Sequence, residues 1–186
     1  MPQATAPYVW LKELVANKDY FVITTNVDCQ FYKAGFAPEH IYAMQGDYGS
    51  FQCARPCSDE LYNNEEWVTQ ALAHRPDPFH IRKEDVPRCP HCGAYLVPNL
   101  RMDSRFVGTP HQQNANAYEQ FVQRHAPERL LLLEIGVGFN TPSIIRFPFE
   151  QLARQFPDSV TLIRVNTHNP EVPNLPNCYS TNALWQ

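Results

Sequence analysis

Two short cysteine pairs constrain the fold of this chain more than any other feature of its sequence. Three residues separate Cys53 from Cys57, two separate Cys89 from Cys92, and 31 residues separate the two pairs. A structural zinc ion takes four thiolates in a tetrahedron, and two short loops joined by an intervening segment supply that arrangement. The spacing therefore predicts a closed structural zinc site at the four cysteines, in which His91 is not a ligand. Unrelated buried free cysteines, or a redox pair at Cys89 and Cys92, are the alternatives.

The composition fits a chain with a hydrophobic core of ordinary size. It has 186 residues, of which 44% are hydrophobic, enough for one domain with a core. A net charge of -4 provides no basic surface for nucleic acid and no polybasic patch for a membrane. Residues 1–10 show no signal-peptide pattern, and the longest apolar run, Leu130–Leu133, is too short to span a bilayer. We therefore expect a cytoplasmic protein that binds neither nucleic acid nor membrane, with reduced or metal-bound cysteines.

A short buried strand leads to the first candidate polar residues. Residues 20–25, Tyr-Phe-Val-Ile-Thr-Thr, form an aromatic and β-branched run without alternation, as in a strand buried on both faces of a parallel sheet. Asn26 and Asp28 follow at once, and open α/β sheets bind their ligands at this end of a strand. The alternative is that both residues only end the strand and cap a short helix.

Helix and strand patterns alternate before and after the cysteine-rich segment. We predict helices over residues 7–17, 29–35, 64–73, 115–125 and 144–156, and strands over residues 20–25, 41–44, 130–137 and 160–165. Gln45 and Gly46 are expected in a loop, and an irregular tail with a short closing segment is expected after Asn166. The alternation is typical of an α/β fold with a doubly wound parallel sheet.

A glycine pair follows the strand predicted over residues 130–137. Gly136 and Gly138 form a Gly-x-Gly pair, but the third glycine of the dinucleotide fingerprint is missing because position 141 is Thr. Taken alone, the pair favours a tight turn packed on its helix over a nucleotide loop.

Three short motifs resemble the core of the sirtuin (Sir2) family. Residues 24–28 read Thr-Thr-Asn-Val-Asp, Ala34-Gly35 follows, and Gln45-Gly46 comes next. The sirtuin pattern is Thr-Gln-Asn-Ile-Asp, then Ala-Gly, then His-Gly, so that Thr25 replaces the Gln and Gln45 replaces the catalytic His. The change at position 45 resembles the class M sirtuins, which are linked to macrodomains.

The resemblance implies a domain organisation. Residues 1–50 and 109–186 are expected to form a Rossmann-like NAD-binding lobe, and residues 51–108 an inserted zinc-ribbon module. Nothing in residues 1–19 resembles the strand and the Gly-Ala-Gly-x-Ser loop that hold the NAD pyrophosphate in sirtuins. We therefore expect a partial sheet that lacks its first strand and loop, as in the C-terminal portion of a truncated or split sirtuin.

The resemblance also implies roles for individual residues. Asn26, Asp28 and Gln45 take the catalytic positions. The residues implied in NAD binding are Thr25, Asn26, Asp28, Gln45, Gly136, Val137, Gly138 and Asn166. The stretch Phe106, Val107 and Gly108 is implied in binding the substrate backbone, and Cys53, Cys57, Cys89 and Cys92 are implied as the zinc ligands.

Gln45 decides which sirtuin activity the sequence favours. An amide has no titratable group, so Gln45 cannot act as the general base that deacylating sirtuins need. We therefore expect NAD-dependent ADP-ribosylation of a protein, with at most weak deacylation. The resemblance to class M implies a lipoyl-carrier protein as substrate and a macrodomain hydrolase as partner. The alternative is a catalytically inactive, truncated sirtuin-like module that binds zinc and a partner.

Overall fold

The computed structural model describes residues 3–182, which fall into two compact units. The first unit extends to Tyr118 and the second begins at Glu119. Both contain helices and parallel strands, as predicted for an α/β chain. The strands of the described residues form three separate sheets rather than one continuous sheet.

The first unit begins with a helix and a parallel strand pair. Its elements are α1 (Ala6–Val15), β1 (Val22–Thr24), α2 (Gln30–Lys33) and β2 (Ile41–Ala43). Strands β1 and β2 pair in parallel, with Thr24 opposite Ala43. Ile41 and Ala43 are apolar and each only 1% exposed, so β2 packs in the core of the unit. The predicted parallel pairing of this region is therefore confirmed.

An antiparallel sheet follows in the same unit. It consists of β3 (Gly46–Cys53), β4 (Tyr62–Asn63) and β5 (Leu96–Leu100), with β3 in the centre. The expectation of a loop at Gly46 is wrong, because Gly46 already pairs with Leu100 on β5. Strand β3 also crosses the boundary predicted between residues 50 and 51. Its register shifts between Asp47 and Phe51, which marks a β-bulge.

Helices complete the first unit. They are α3 (Glu65–His74), three short 3₁₀ helices (Pro38–His40, Lys83–Asp85 and Thr109–His111) and the first half of α4 (Gln112–His125). Trp67 on α3 stacks edge-on against Phe51 of β3, with ring centroids 5.1 Å apart. The indole Nε1 of Trp67 also donates to the Asp85 carbonyl at 2.7 Å. These contacts attach α3 to the antiparallel sheet and to the segment that leads to Cys89.

The second unit contains a parallel three-stranded sheet. After the rest of α4 come β6 (Leu130–Ile135), α5 (Arg146–Gln155), β7 (Val160–Val165) and β8 (Cys178–Thr181). Strand β7 lies in the centre and pairs in parallel with β6 and β8. The closing segment of the tail was not predicted as a strand, but it forms β8 beside β7.

The core of the second unit lies on one face of its sheet. Leu132 and Leu162 are 5% and 0% exposed, and Ala153 on α5 is 0% exposed. Leu131 between the buried leucines is 57% exposed. The unbroken leucine run therefore does not mean burial on both faces, because successive strand residues point to opposite faces.

No helix within residues 3–182 is long and apolar enough to cross a membrane.

Candidate functional site

The carboxyl ends of β1 and β2 bring two predicted site residues to the same sheet edge. Thr24 pairs with Ala43, and the Met44 amide donates to the Thr24 carbonyl at 3.1 Å. Asn26 and Gln45 each follow two residues after this last pair. Because the strands are parallel and in register, both residues leave the sheet at one edge, where α/β proteins bind ligands.

Asn26 is fixed by two hydrogen bonds. Its backbone amide donates to the Thr24 hydroxyl at 3.0 Å, and its Nδ2 donates to the Tyr8 phenol oxygen at 3.0 Å. Burial and the negative charge of Asp28 raise the pKa of Tyr8, although the bond from Asn26 opposes this. Tyr8 is therefore a neutral phenol near pH 7, and Asn26 remains exposed to solvent.

Asp28 lies two residues before the start of α2 and is exposed to solvent. Its Oδ1 accepts a hydrogen bond from the Gln30 amide at 3.1 Å, and its carbonyl accepts one from Lys33 Nζ. The intervening Cys29 has a left-handed backbone with φ of +59°, which is unusual for a residue with a side chain. Asp28 therefore accepts the first amide of α2 from outside the helix, whereas the N-cap residue itself is Cys29 and makes no side-chain cap bond.

A small hollow and a larger cleft meet beside these residues. Thr24, Asn26, Asp28 and Ala43 line the hollow. The cleft has a volume of about 660 Å³ and lies within the first unit. The residues shared by both cavities are Cys29, Tyr32 and Asp47. Lys33, Glu65 and His111 line the cleft only.

Asp47 is the acidic residue that lines both cavities. Its Oδ1 accepts a hydrogen bond from the Gly49 amide at 2.8 Å. Burial, and after it the charge of Asp47, raises the pKa of Cys29 and raises that of Tyr32 to about 12. Burial lowers the pKa of His111, which Asp47 opposes. At neutral pH the cavities therefore contain a protonated thiol, a neutral phenol and a neutral imidazole, and their linings include the carboxyl groups of Asp28, Asp47 and Glu65.

The backbone at Gln45 and Gly46 packs tightly on β5 and the residue after it. The Gln45 carbonyl accepts a hydrogen bond from the Arg101 amide at 3.0 Å, and Arg101 Nε donates to the Met44 carbonyl at 3.0 Å. Gly46 has a φ of +74°, and a Cβ there would lie 1.9 Å from the Asn99 carbonyl oxygen. Only glycine fits this position.

A buried amide network holds the stretch predicted to bind substrate. Gln52 Oε1 accepts from the Val107 amide at 2.9 Å, and Asn99 Nδ2 donates to the Val107 carbonyl at 3.1 Å. Asn99 Nδ2 also donates to Gln52 Oε1 at 2.7 Å. Gln52, Asn99 and Val107 are 4%, 0% and 3% exposed, so these bonds form without competition from water.

An imidazole ring and a guanidinium group pack against Phe106 in the same stretch. His111 stacks on the Phe106 ring with centroids 5.6 Å apart and planes 12° apart. The Arg101 guanidinium lies 4.3 Å from the Phe106 ring centre. His111 Nε2 also lies 2.8 Å from Asn99 Oδ1, and the His111 amide donates to the Gly108 carbonyl. Arg101 and Phe106 therefore connect Gln45 with His111 through a series of side-chain and backbone contacts.

The four paired cysteines converge, as their spacing predicts. All four Sγ atoms lie within 4.8 Å of one another, with 3.5 Å between Cys53 and Cys92 and between Cys57 and Cys89. A disulfide needs sulfurs about 2 Å apart, so these thiols are free. Zinc–sulfur bonds of about 2.3 Å place the sulfurs of a tetrahedron about 3.8 Å apart, and the observed cluster fits this size.

The surroundings of the cysteines favour a metal-binding thiolate cluster. Burial opposes ionisation of Cys53, yet hydrogen bonds from the Cys57 and Arg55 amides and from neighbouring thiols lower its pKa to about 6, whereas contacts with Cys92 and Cys89 raise the pKa of Cys57 to about 12. Gly93 after the second pair has a φ of +70°, as the tight turn requires. His91 does not join the cluster, because its Nε2 pairs with Glu60 at 2.7 Å.

In the second unit, Asn166 connects the predicted nucleotide loop to the turn after β7. Its Nδ2 donates to the Val137 carbonyl at 2.8 Å, and its Oδ1 accepts from the His168 and Asn169 amides at 3.0 and 3.1 Å. Gly136 has a φ of +66°, so the chain turns sharply as it leaves β6. Asn166 therefore fixes the shape of the loop through its whole side-chain amide.

A buried ionic cluster lies under the same loop. Arg164 and Arg146 pair with the carboxylates of Glu134 and Glu150. The Arg146 guanidinium also lies 4.4 Å from the centre of the Phe139 ring, which is 54% exposed. The cluster holds β6, α5 and β7 at the end where the loop begins, because each of its members lies on one of these elements.

Two curated proteins and a solved structure are similar to this chain, whereas no protein-family model matches it. A protein ADP-ribosyltransferase of Staphylococcus aureus strain Mu50 is 32% identical over 174 residues, which cover 91% of this chain. A probable bifunctional ADP-ribose hydrolase/ADP-ribosyltransferase of Fusarium oxysporum f. sp. cubense is 32% identical over 161 residues, covering 84% of this chain. A mutant Sir2 homologue in complex with ADP-ribose matches 97% of the chain with a TM-score of 0.57 and 16% identity.

The shared fold and the transferase relatives agree with the residue pattern at positions 24–28 and 45–46. The chain therefore has a Sir2-like fold and is similar in sequence to proteins named as ADP-ribosyltransferases. It spans 53% of the Staphylococcus protein, 27% of the Fusarium protein and 61% of the Sir2 homologue chain.

Within each unit, the fold brings some of the predicted residues together. In the first unit Asn26 and Asp28 line one hollow at the sheet edge that Gln45 also leaves, and Phe106–Gly108 lie beside the residue after β5. In the second unit Asn166 contacts the loop of Gly136, Val137 and Gly138. The NAD and substrate roles of these residues, and of Thr25, stay predictions.

Sequence reasoning missed several residues of the candidate site. Tyr8 gave no motif signal, and Asp47 was noted only as the residue that follows Gln45-Gly46 and was given no role. Asn99 and Arg101 lie in the segment that returns from the cysteine pairs, and His111 lies in no pattern that the sequence singled out. Their roles depend on contacts between residues far apart in the chain, which a linear motif does not contain.

Proposed function

We propose that this chain contributes to NAD-dependent transfer of ADP-ribose to a protein. The supporting observation is the pair of polar side chains, Asn26 and Asp28, that line one hollow at the carboxyl edge of β1 and β2. The transferase relatives and the ADP-ribose complex of the Sir2 homologue support NAD as the substrate. Gln45 at the same edge supplies hydrogen bonds but no general base, which favours transfer over deacylation.

Each predicted residue has a role in this proposal. Asn26 and Asp28 hold the nicotinamide and its ribose, because an amide and a carboxylate bind the carboxamide and the hydroxyls. Thr25 and Gln45 border that pocket. Gly136, Val137, Gly138 and Asn166 bind the adenosine half of NAD. Phe106, Val107 and Gly108 receive the acceptor protein.

The proposed acceptor is a lipoyl-carrier protein, and a macrodomain hydrolase is the proposed partner. The Fusarium relative supports the partnership, since its name combines ADP-ribose hydrolase and ADP-ribosyltransferase in one protein. A hydrolase that removes the modification makes the transfer reversible.

The proposed metal is one structural zinc ion bound by Cys53, Cys57, Cys89 and Cys92. The four sulfurs close the coordination sphere, so the metal has no open position for catalysis. Its role is to connect β3 with the start of β5 through the two cysteine pairs.

Transfer is tested by incubating the purified chain with NAD labelled in its adenine and a lipoyl-carrier protein. We expect label on the acceptor protein, and at least a tenfold loss with Asn26→Ala. Asn174→Ala, at an exposed loop position, is the matched control. Isothermal titration of NAD measures binding in parallel. A folded, zinc-loaded chain that neither binds NAD nor labels the acceptor contradicts the proposal and supports an inactive interaction module.

A further inference from the structure

The large cleft of the first unit contains an imidazole next to the position where sirtuins have their catalytic histidine. Gly46, the residue after Gln45, packs on the Asn99 backbone, and the Asn99 side chain reaches His111. His111 lines the cleft together with Asp47, which also borders the hollow of Asn26. His111 is therefore separated from the Gln45-Gly46 peptide by a single side chain.

The amide network fixes which nitrogen of His111 carries a proton. Gln52 Nε2 donates to the Arg105 carbonyl at 2.8 Å, so Gln52 presents its amide oxygen to Asn99. Asn99 must then direct its Nδ2 toward Gln52 and Val107, and its Oδ1 toward His111. An amide oxygen only accepts, so His111 carries its hydrogen on Nε2 and has a lone pair on Nδ1.

Asn99 thus orients His111 as an acceptor of protons at Nδ1. A histidine held through one nitrogen and basic at the other is the arrangement used by catalytic histidines, including those oriented by Asn. Protonation at Nδ1 leaves the bond from Nε2 to Asn99 intact. The network is buried, so the tautomer does not depend on solvent.

The charges around His111 come from several elements. Burial opposes protonation of the imidazole, Asp47 on β3 favours it, and the positive charge of Arg101 opposes it. The net effect lowers the pKa of His111. Lys33 on α2, Glu65 on α3, and the titratable Cys29 and Tyr32 line the same cleft. At pH 7 the imidazole is therefore neutral and able to accept a proton.

We propose that His111, oriented by Asn99, is the proton acceptor of this site and lets the chain hydrolyse NAD when no acceptor protein is bound. This inference rests on the proposed function, because the same bond of NAD is broken. The water oxygen forms a bond to the anomeric carbon of the nicotinamide ribose. The bond from that carbon to nitrogen breaks, and neutral nicotinamide leaves with the electron pair. The water proton passes to His111 Nδ1 and then to solvent, so the products are nicotinamide, ADP-ribose and a proton.

The test measures nicotinamide release from NAD in the absence of any acceptor protein. His111→Gln keeps an N–H group for Asn99 but has no basic nitrogen, and we expect a loss of about 100-fold, the lower end for a general base. The release by the unsubstituted chain should fall as the pH drops through the His111 pKa. Asp47→Asn should move this fall to lower pH, because it removes the charge that favours protonation. His74→Gln on the exposed end of α3 is the control.

A second measurement does not depend on turnover. Nitrogen NMR of the imidazole should show a proton on Nε2 and an unprotonated Nδ1 at pH 7. A proton on Nδ1 would overturn the inference even in an inactive chain. Circular dichroism and zinc content confirm that His111→Gln is folded.

The outcomes separate this inference from the proposed function. Equal nicotinamide release by His111→Gln and the unsubstituted chain contradicts the role of His111 alone, as does transfer to an acceptor without any hydrolysis of NAD. Absence of both transfer and hydrolysis contradicts the proposed function, and the inference with it.

Discussion

Arg164 and Glu134 face each other inside the second unit, joined by hydrogen bonds of 2.6 and 2.8 Å, and neither side chain is exposed to solvent. Removing the Glu134 charge leaves the two buried guanidinium groups of Arg146 and Arg164 with Glu150 as their shared counter-ion, and breaking a buried pair costs about 3–5 kcal/mol. We therefore expect Glu134→Gln to lower the free energy of unfolding by several kcal/mol, measured by denaturant titration.

The matched control for this pair is Asp103→Asn. Asp103 pairs with Arg105 at 2.6 Å, but both side chains are largely exposed. An exposed ion pair is screened by water and contributes little to stability, so the effect of its loss should be small. Equal destabilisation by both substitutions would show that the buried pair contributes no more than a surface pair.

Metal content distinguishes the clustered cysteines from the others. We expect one zinc ion per chain, lost in Cys53→Ser and Cys89→Ser, because three thiolates leave the tetrahedron open. Loss of metal should also reduce the strand signal in circular dichroism, since metal binding and folding are coupled. Cys178→Ser in β8 serves as control and should retain the full metal content. Full zinc content in Cys53→Ser would mean that the cluster is not the metal site.

Alkaline pH should destabilise the first unit through Tyr118. Burial raises the pKa of Tyr118 to about 12, where it packs against Phe21 and Tyr42. The unfolded chain releases this proton near pH 10, so the contribution is complete below pH 10 and disappears as the pH rises toward 12. The melting temperature should therefore fall between pH 10 and 12. In Tyr118→Phe the fall should be smaller, whereas Tyr179→Phe, at an exposed position, should leave it unchanged.

Asn166 should control the affinity for ADP-ribose without touching the chemistry at Gln45. Asn166→Ala removes the bond to the Val137 carbonyl and both bonds from the following turn. We expect about a tenfold weaker affinity for ADP-ribose by isothermal titration, because ordering the loop then costs free energy on binding. Asn174→Ala at an exposed loop position is the control. Unchanged affinity in Asn166→Ala would place the adenosine half elsewhere.

Gln45→His should change the reaction rather than abolish it. The substitution introduces a general base at the sheet edge, which Gln45 cannot provide. We expect NAD-dependent deacylation of an acylated peptide to rise by about 100-fold, the lower end of the effect of a general base, while ADP-ribose transfer persists. Mass spectrometry of the peptide and label on the acceptor protein report the two activities. A variant that loses both activities would contradict a purely hydrogen-bonding role for Gln45.

The elements that depend on neighbours in sequence were predicted from the sequence. The strand over residues 160–165 has the predicted bounds, and the helix predicted over 115–125 begins three residues earlier, at Gln112. Local periodicity decides such elements, because the apolar residues that form the core recur at the helical or strand period. The convergence of the four cysteines followed in the same way from their spacing, since short pairs supply two sulfurs each.

Contacts between distant residues were beyond such patterns. Gln52 and Asn99 are 47 residues apart and Gln52 and Val107 are 55 apart, and no local motif contains these pairs. Strand β8 was missed because its sequence, Cys-Tyr-Ser-Thr, has a weak apolar pattern and gains its hydrogen bonds from β7. Gly46 was expected in a loop because its place in β3 depends on the pairing with Leu100.

Position 46 accepts only glycine, whereas the side chain at the neighbouring position 45 can be exchanged. Any side chain there would collide with the carbonyl oxygen of Asn99, whereas Gly138 has open space around it and tolerates a methyl group. The residue at position 45 can therefore exchange an amide for an imidazole through single substitutions, while the backbone that presents it follows the same path. A lineage of such proteins can diversify its chemistry at position 45 and still inherit glycine beside it.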